Sequence, residues 1–221
     1  SRLTYGHMVA DVEGMAKMVN EISDDIVQEI RKEYDIKGTM LLFVGQMIPR
    51  KGVMELLEAW KDFKSACTVE CTLVYIGSGI QEQELKDYAE ANHISDFVMT
   101  GAVDYEQIAK FYKAADSFII PTLEDNWSLV VPEAMACGLP VATSIYNGCY
   151  PELVHPENGW TFDPLRKESM INTLHEILAN REHLKEMGKQ SLRIVSNETA
   201  ERAAKSIMDA INIAIKRTRK K

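Results

Sequence analysis

Short apolar runs alternate with segments of helical periodicity over most of the chain. The runs are almost continuously apolar instead of alternating with polar residues, which is typical of strands covered on both faces. Because helical segments separate the runs, the pattern predicts a parallel sheet whose strands are joined by right-handed crossovers. The predicted strands are MLLFVG (40–45), CTLVYIG (71–77), DFVMTG (96–101), DSFIIP (116–121) and PVATS (140–144).

Helical periodicity fills the gaps between these strands. Apolar residues recur at the spacing of one helix face in the segments that begin at Gly52, Gln81 and Tyr105. A further helix is predicted from about Ser128, and Pro132 is compatible with it only near the first turn. Strand and helix therefore alternate along the central part of the chain.

The two ends of the chain are helical without strands. The segment SDDIVQEIRKEYD (23–35) has Ser23 as a predicted N-cap and acidic residues in its first turn. After Pro164 the pattern predicts helices alone, packed as a terminal layer. Their predicted ranges are about 166–179, 181–195 and 198–215.

These patterns divide the chain into a helical lead-in (1–36), one α/β domain (37–215) and a basic tail (216–221). The tail, KRTRKK, carries five positive charges at the end of a helix. We interpret it as a solvated helix end, because cations suit the negative end of the helix dipole. Contact with an anionic membrane surface or with another domain is the open alternative.

Composition narrows the class of protein. The chain has 221 residues, of which 46% are hydrophobic and 26% charged, as in ordinary globular proteins that bury a core. The net charge of −8 argues against nucleic acid as a partner. No apolar run approaches the ~20 residues of a membrane span, and the first residues lack the pattern of a signal peptide.

The four cysteines lie in apolar surroundings without a C-x-x-C pair, as free thiols in a reducing compartment do. We therefore expect a cytoplasmic protein, whose membrane contact, if any, is peripheral and at the inner face. The cysteines are Cys67, Cys71, Cys137 and Cys149.

Candidate chemistry follows from the topology. In an open parallel sheet, ligands bind at the carboxyl ends of the strands where the strand order reverses. The first strand is followed by GQMIPRKG (45–52), in which Lys51 stands beside a helix start and could serve an anion site. The GSG after the second strand is not a dinucleotide fingerprint, because Glu82 stands where the third glycine would be and would face a pyrophosphate.

The segment EDNWSLVVPEAMACG (124–138) holds two acids eight residues apart, Asp125 in a polar loop and Glu133 one turn into the predicted helix. Backbone amides between Trp127 and Val130 would suit a diphosphate. Burying an ionised carboxylate without partners costs several kcal/mol. The vicinal hydroxyls of a sugar would supply partners for Glu133. The alternative is structural, with Asp125 as a helix N-cap and Glu133 satisfied by backbone amides.

Three stretches together resemble the C-terminal, donor-binding half of glycosyltransferase family 4, the retaining enzymes of the GT-B fold. They are FVGQMIPRKGVMELLEAW, GAVDYEQIAKFYKAADSFIIPTLEDNWSLVVPEAMACGLPVATS and GCYPELVHPENGWTF. The resemblance covers about residues 37–180. It implies an α/β fold: a single Rossmann-like domain with a parallel sheet flanked by helices and extra C-terminal helices, one half of a GT-B fold.

The resemblance also implies an activity and a substrate. A hexose-type sugar would pass from a UDP- or GDP-sugar to a glycan or lipid-linked acceptor, with retention at the anomeric carbon, in polysaccharide or glycoconjugate biosynthesis. Family enzymes carry an N-terminal acceptor-binding domain of similar size, and only 36 residues precede the match here. We therefore expect the acceptor domain to be missing from this chain.

Residue roles come from the same resemblance. The family's E-x7-E motif corresponds to Asp125 and Glu133, so Glu133 would bind the ribose hydroxyls and Asp125 the donor sugar near the reacting centre. Lys51 would act with Asp125 in catalysis by neutralising the diphosphate. The family's clamp arginine is replaced by Gln46, which weakens the clamp. The implied donor-binding positions are Gly45, Gln46, Val103, Asn126, Trp127, Ser128, Leu129, Val130 and Glu133.

No cofactor and no metal ion are expected, because Lys51 and the helix at Ser128 would stabilise the departing diphosphate. The chain has no Asp-x-Asp motif or histidine cluster. Two other interpretations stay open. Gln46, Asp125 and Ser128 depart from the family pattern and suggest a non-catalytic binding or scaffolding module with a decayed donor site. A nucleotide-sugar epimerase is the third, although no acid/base pair beyond the donor motif supports it.

Overall fold

A computed structural model of the protein describes residues 9–218, with side chains up to residue 216. Its six strands form one parallel sheet in the order β3-β2-β1-β4-β5-β6. The strands are β1 (Thr39–Val44), β2 (Cys71–Ile76), β3 (Phe97–Gly101), β4 (Ser117–Ile120), β5 (Val141–Ser144) and β6 (Gly159–Phe162). The predicted α/β fold with a parallel sheet flanked by helices is confirmed.

The five predicted strands match β1 to β5 within a residue or two. β6 was missed, because it has four residues and the side chains of Trp160 and Thr161 are not buried. β1, β2, β4 and β5 are buried throughout, as their apolar runs predict. β3 is only half-buried, because it lies at the edge of the sheet.

Helices connect the strands and cover both faces of the sheet. Ser23 occupies the predicted N-cap position of α2, although its side chain makes no capping hydrogen bond. The helices are α1 (Val12–Glu21), α2 (Asp24–Glu33), α3 (Val53–Ala66), α4 (Glu82–Ala91), α5 (Tyr105–Ala114), α6 (Val130–Ala136), α7 (Lys167–Ala179), α8 (Leu184–Val195) and α9 (Ala200–Thr218).

The helical lead-in shares its core with the α/β domain. α1 packs against α5 and α6, and α2 packs against α5. Met15 and Val19 of α1 and Ile30 of α2 are buried in these contacts. Residues 1–8 of the lead-in and residues 219–221 of the predicted basic tail, 216–221, lie outside the described residues.

α9 is the helix least engaged with the rest of the fold. None of its described side chains, from residue 200 to residue 216, is buried. Ile207 is 61% and Met208 55% exposed. Within the described range, no helix combines the length and apolarity that crossing a membrane requires.

The strand order places the site. β1 lies in the middle of the sheet, between β2 and β4, so the chain winds away from it in opposite directions. The loops that follow β1 and β4 therefore leave the same edge of the sheet side by side. These are the loops that carry Lys51 and Asp125.

Candidate functional site

The loops after β1 and β4 are joined by backbone contacts. The carbonyl oxygen of Arg50 accepts from the amide of Leu123 at 2.8 Å and from the hydroxyl of Thr122 at 3.0 Å. Gly52 has φ of 68°, and a Cβ at this position would lie 2.1 Å from the carbonyl oxygen of Pro121. Only glycine permits this approach, and it fixes Lys51 beside the loop of Asp125.

Lys51 and Asp125 form an ion pair through Nζ and Oδ2. Their side chains are only 13% and 12% exposed. Asp125 also accepts from the hydroxyl of Ser128 at 2.6 Å and from the amide of Trp127 at 3.1 Å. Burial raises the pKa of Asp125, but the hydrogen bonds from Lys51 and Ser128 outweigh it and hold this pKa below its ordinary value.

Backbone donors lie next to this pair. α6 begins at Val130, two residues later than predicted, and Leu129 takes its N-cap position. The Trp127 amide is bound to Asp125, whereas the amides of Ser128, Leu129 and Val130 donate to no group of the described residues. Three of the predicted diphosphate donors are therefore free for a ligand within the described structure.

The side chains around these amides differ in exposure. Ser128 is buried and Asn126 is exposed. Leu129 is 37% exposed, and Trp127 packs against the hydrophobic core. Asn126 takes part in a close backbone contact, because a Cβ on Gly148 would lie 1.7 Å from its carbonyl oxygen.

Glu133 has a different environment from Asp125. Its Oε2 accepts from the hydroxyl of Tyr112 at 3.4 Å, and Tyr112 itself is fully buried in α5. Burial raises the pKa of Glu133 to about 7, the Tyr112 hydrogen bond opposes this rise, and the negative charge of Asp11 adds to it. No cation pairs with Glu133 among the described residues.

The partners of the two acids differ from those that the structural alternative named. Leu129, and not Asp125, stands at the N-cap of α6. Glu133 is bonded to a tyrosine hydroxyl, and no described backbone amide donates to its carboxylate. Asp125 is satisfied by three partners, whereas Glu133 retains acceptor capacity.

Gly45, Gln46 and Val103 come together at one cavity of about 320 Å³. Its other walls come from the ends of β1 and β2 and from Ile108 of α5. Asp125, Lys51 and Glu133 do not line it. The predicted positions thus form two neighbouring groups at the carboxyl edge, one around this cavity and one around the ion pair.

The glycines after β2 serve the packing of these loops. A Cβ on Gly77 would lie 1.9 Å from the carbonyl oxygen of Gly45, and one on Gly79 would lie 2.4 Å from that of Met47. The GSG segment therefore lets two loops approach each other. This packing role agrees with rejecting a dinucleotide fingerprint there.

A larger cavity, of about 680 Å³, lies at the opposite edge, where the strands begin. Arg31 lines this cavity and donates to the carbonyl oxygen of Ala114 at 2.6 Å and to Asp116 at 3.4 Å. Because these contacts already satisfy the guanidinium, size alone does not make this cavity the functional site. The candidate site residues lie at the carboxyl edge instead.

The loop 145–150 lies directly against Asp125. The amide of Gly148 donates to the carbonyl oxygen of Asp125 at 2.8 Å, and Asp125 and Asn147 form a parallel bridge. Asn147 is 1% exposed. From the sequence, YNGCYPE (146–152) resembles the family loop that approaches the sugar and the diphosphate, although Asn-Gly is first of all a turn signal.

Metal-ligating groups do not cluster in residues 9–218: no set of three His, Cys, Asp or Glu side chains could hold an ion. The four cysteines are free thiols. Burial raises the pKa of Cys71 to about 11 and that of Cys149 to about 12, so these two thiols are protonated at neutral pH.

In an open parallel sheet, the point of strand reversal is where ligands bind, and here it holds a lysine, two carboxylates and amides that are unpaired within the described residues. The match to a known family is more specific. The chain belongs to the family described as glycosyl transferases group 1, whose model matches residues 26–193.

One curated relative is the lipopolysaccharide 1,2-N-acetylglucosaminetransferase of Salmonella typhimurium. It is 29% identical over 169 residues, which are 72% of this chain and 44% of that protein. The chain likewise spans 40% and 46% of two other curated relatives. It thus spans less than half the length of these proteins.

Two solved structures share the fold. The C-terminal domain of LpcC, a glycosyl transferase group 1 family protein from Francisella tularensis, matches with a TM-score of 0.69 and 19% identity, over 80% of this chain and 93% of that one. Anabaena Alr3699/HepE in complex with UDP and glucose matches with a TM-score of 0.75 and 16% identity. That match covers 96% of this chain and 56% of the Anabaena chain.

Proposed function

We propose that the chain is the donor-binding half of a retaining glycosyltransferase of family 4, which transfers a hexose-type sugar from a nucleoside diphosphate sugar. The observation that carries this proposal is the meeting of Lys51 and Asp125 at the point of strand reversal. The two residues are 74 positions apart in the sequence. Their pairing puts a cation and an acid of the E-x7-E type beside three backbone amides that have no acceptor among residues 9–218.

The cation and the amides suit a diphosphate leaving group. In the transfer, the bond between the anomeric carbon and the β-phosphate oxygen breaks, and an acceptor oxygen bonds to the same carbon on the same face. Negative charge builds up on the departing diphosphate, and preorganised donors stabilise it. Lys51 and the amides of Ser128, Leu129 and Val130 are the donors placed for this task, so the proposed mechanism needs no metal ion.

Binding requires Lys51 to change partners. In the structure its ammonium is neutralised by Asp125. A bound diphosphate would replace Asp125 as the partner of Lys51. The Asp125 carboxylate could then contact the donor sugar. Asp125 would keep its hydrogen bonds from Ser128 and Trp127 during this exchange, which holds the carboxylate in place.

Glu133 and the cavity at Gly45 are proposed to hold the nucleoside. Glu133 has acceptor capacity for the two ribose hydroxyls, and its ionisation is opposed by burial until a ligand supplies hydrogen bonds. The base would enter the cavity of about 320 Å³ beside Val103. The Anabaena protein of the same fold was solved with UDP, which makes UDP the first nucleotide to test.

The acceptor side is proposed to lie on a second domain. The LpcC structure of similar size is itself a C-terminal domain, and it matches this chain over 93% of its length. The acceptor in the proposed reaction is a glycan or a lipid-linked glycan, at the cytoplasmic side of a membrane. The Salmonella relative, named for lipopolysaccharide, supports this class of acceptor.

The test is calorimetric titration of the chain with UDP and GDP. We expect one of them to bind with Kd below about 1 mM and Lys51→Met to weaken binding at least tenfold. Lys189→Met is the matched control, because Lys189 is an exposed lysine on α8 paired with Glu186. Binding equal in both variants, or no binding of either nucleotide by the wild type, would contradict the proposal.

One observation favours the second candidate, a non-catalytic scaffolding module. Asp125 already neutralises the positive charge of Lys51, and exposed Gln46 adds no further positive charge for a diphosphate. A decayed site would look similar. In that case neither nucleotide binds at millimolar concentration, and Lys51→Met only changes stability.

A further inference from the structure

The larger cavity, of about 680 Å³, has an excess of positive charge although the chain carries a net charge of −8. It lies at the edge where the strands begin, and neither Lys51 nor Asp125 lines it. Its volume is within the range of about 300–1,000 Å³ that is typical of small-molecule sites. Its charged lining residues are four cations and two acids: Arg31, Lys113, Arg181, Lys185, Asp24 and Asp116.

Two lysines of this lining have no acidic partner. Arg31 and Asp116 neutralise each other, since Nη1 and Oδ2 lie 3.4 Å apart. In residues 9–216, neither Lys113 nor Lys185 forms an ion pair with a carboxylate. Of the lining acids, only Asp24 then remains to oppose the other cations.

Arg181 adds a third positive charge that the protein neutralises weakly. Its Nη1 donates to the carbonyl oxygen of Leu178 at 3.3 Å, which places the guanidinium beside the cavity. Its Nη2 lies 3.9 Å from the carboxylate of Glu182, whose side chain is 82% exposed. Water and salt screen so exposed a pair, so Arg181 still contributes positive potential to the cavity.

Helix stability explains some of these cations but not all of them. Lys113 lies in the last turn of α5, and Arg181 follows the end of α7, where the helix dipole favours a positive charge. Lys185 is the second residue of α8, where the dipole disfavours a cation. The position of Lys185 at the cavity therefore needs another reason.

We propose that this cavity binds a small molecule through a phosphate group, which Lys113, Arg181 and Lys185 hold. Clefts lined by an excess of one charge concentrate ions of the opposite charge, and lysine and arginine form charge-assisted hydrogen bonds with phosphate. Arg31 has protein partners of its own and supports the wall of the cavity. The inference is independent of the proposed function, because the site lies at the other edge of the sheet.

The test is a titration of the 15N-labelled protein with inorganic phosphate and with pyrophosphate, at constant ionic strength set by sodium chloride. We expect amide shifts at Lys113, Gly138 and Lys185 that saturate with Kd below about 10 mM for at least one probe. Sodium chloride alone should not produce them, because a specific site differs from general screening.

The double variant Lys113→Met/Lys185→Met is expected to bind the same probe more weakly by at least about tenfold. Lys86→Met/Lys189→Met is the matched control, since it removes two exposed lysines on α4 and α8 that are paired with acids. Its affinity at the cavity should equal that of the wild type. Thermal midpoints of both variants verify folding, and the single change Lys185→Glu, at an exposed position, should also weaken binding.

The contrary results are specific to this cavity. Shifts that saturate only around Lys51 and Leu129, or no saturable shifts with either probe, would overturn the inference. Equal losses of affinity in the two double variants would also overturn it, because they would show a response to net charge alone. None of these outcomes bears on UDP or GDP at the carboxyl edge, so failure here leaves the proposed function standing.

Discussion

Asp125 and Glu133 are eight residues apart, yet the fold gives their carboxylates opposite environments. Asp125 has a lysine, a hydroxyl and an amide as partners, and its pKa lies below the ordinary value. Glu133 has one long hydrogen bond from Tyr112, and burial raises its pKa to about 7. The fold stabilises the ionised form of Asp125, whereas it disfavours the ionised form of Glu133.

The comparison separates two kinds of functional residue. An acid that is fully paired contributes to stability, so its presence alone says little about a ligand. An acid that is buried with too few partners lowers stability, and such a residue persists where a ligand supplies what the fold does not. Glu133 is of the second kind.

The largest effect on stability is expected for Asp125→Ala. This change leaves Lys51 poorly exposed and without its partner, which we expect to lower the free energy of unfolding by about 3 kcal/mol. Urea denaturation measures it. The control is Glu186→Ala, which breaks an ion pair whose side chains are 69% and 64% exposed and should change stability by less than about 0.5 kcal/mol. Equal losses of unfolding free energy in both variants would mean that the buried pair stabilises the fold no more than a surface pair does.

A smaller effect of opposite sign is expected for Glu133→Gln. The pKa of Glu133 is about 7 in the folded protein and 4.5 as a model value, so the unfolded chain loses this proton first as the pH rises. Wild-type stability should therefore fall between pH 4.5 and about 7 through this group. At pH 8 the glutamine variant should be more stable by about 2 kcal/mol, and near pH 4 the two should be equal. A variant less stable than the wild type at pH 8 would show that Glu133 is structural.

The smallest effect is expected for Tyr112→Phe, which removes the hydroxyl bonded to Glu133. Stability should fall by about 1 kcal/mol, and the pKa of Glu133 should rise further because this hydrogen bond lowers it. The pH-dependent fall in stability should then extend to higher pH. Tyr75→Phe is the matched control, since Tyr75 is also buried and its hydroxyl donates to the Val53 carbonyl oxygen at 2.9 Å. The same pH profile in both variants would contradict the role given to Tyr112.

Much of the fold could be predicted from the sequence because each central strand is a continuous apolar run bounded by glycine or proline. β6 could not, since its four residues include Trp160 and Thr161, which are not buried. The topology and the resemblance placed Lys51 and Asp125 at one edge of the sheet. Their direct ion pair, across 74 residues of sequence, was not predicted, because it depends on how the two loops pack.

The finer features of the site depend on tertiary packing. Tyr112 reaches Glu133 from α5, so the raised pKa follows from how two helices pack. That Asn147 packs against Asp125 likewise depends on how the loops after β4 and β5 meet. A sequence shows which groups are present, whereas the fold decides which of them remain unsatisfied.

The central claim is that the nucleotide binds at the carboxyl edge of the sheet, between the loops of Lys51 and Asp125. Its most direct test is a titration of the 15N-labelled protein with UDP, or with GDP if calorimetry selects it, followed by amide chemical shifts. We predict the largest changes at Gly45, Lys51, Val103, Leu129 and Asn147. Changes confined to the larger cavity at the opposite edge, around Arg31 and Gly138, or no changes at millimolar nucleotide, would contradict it.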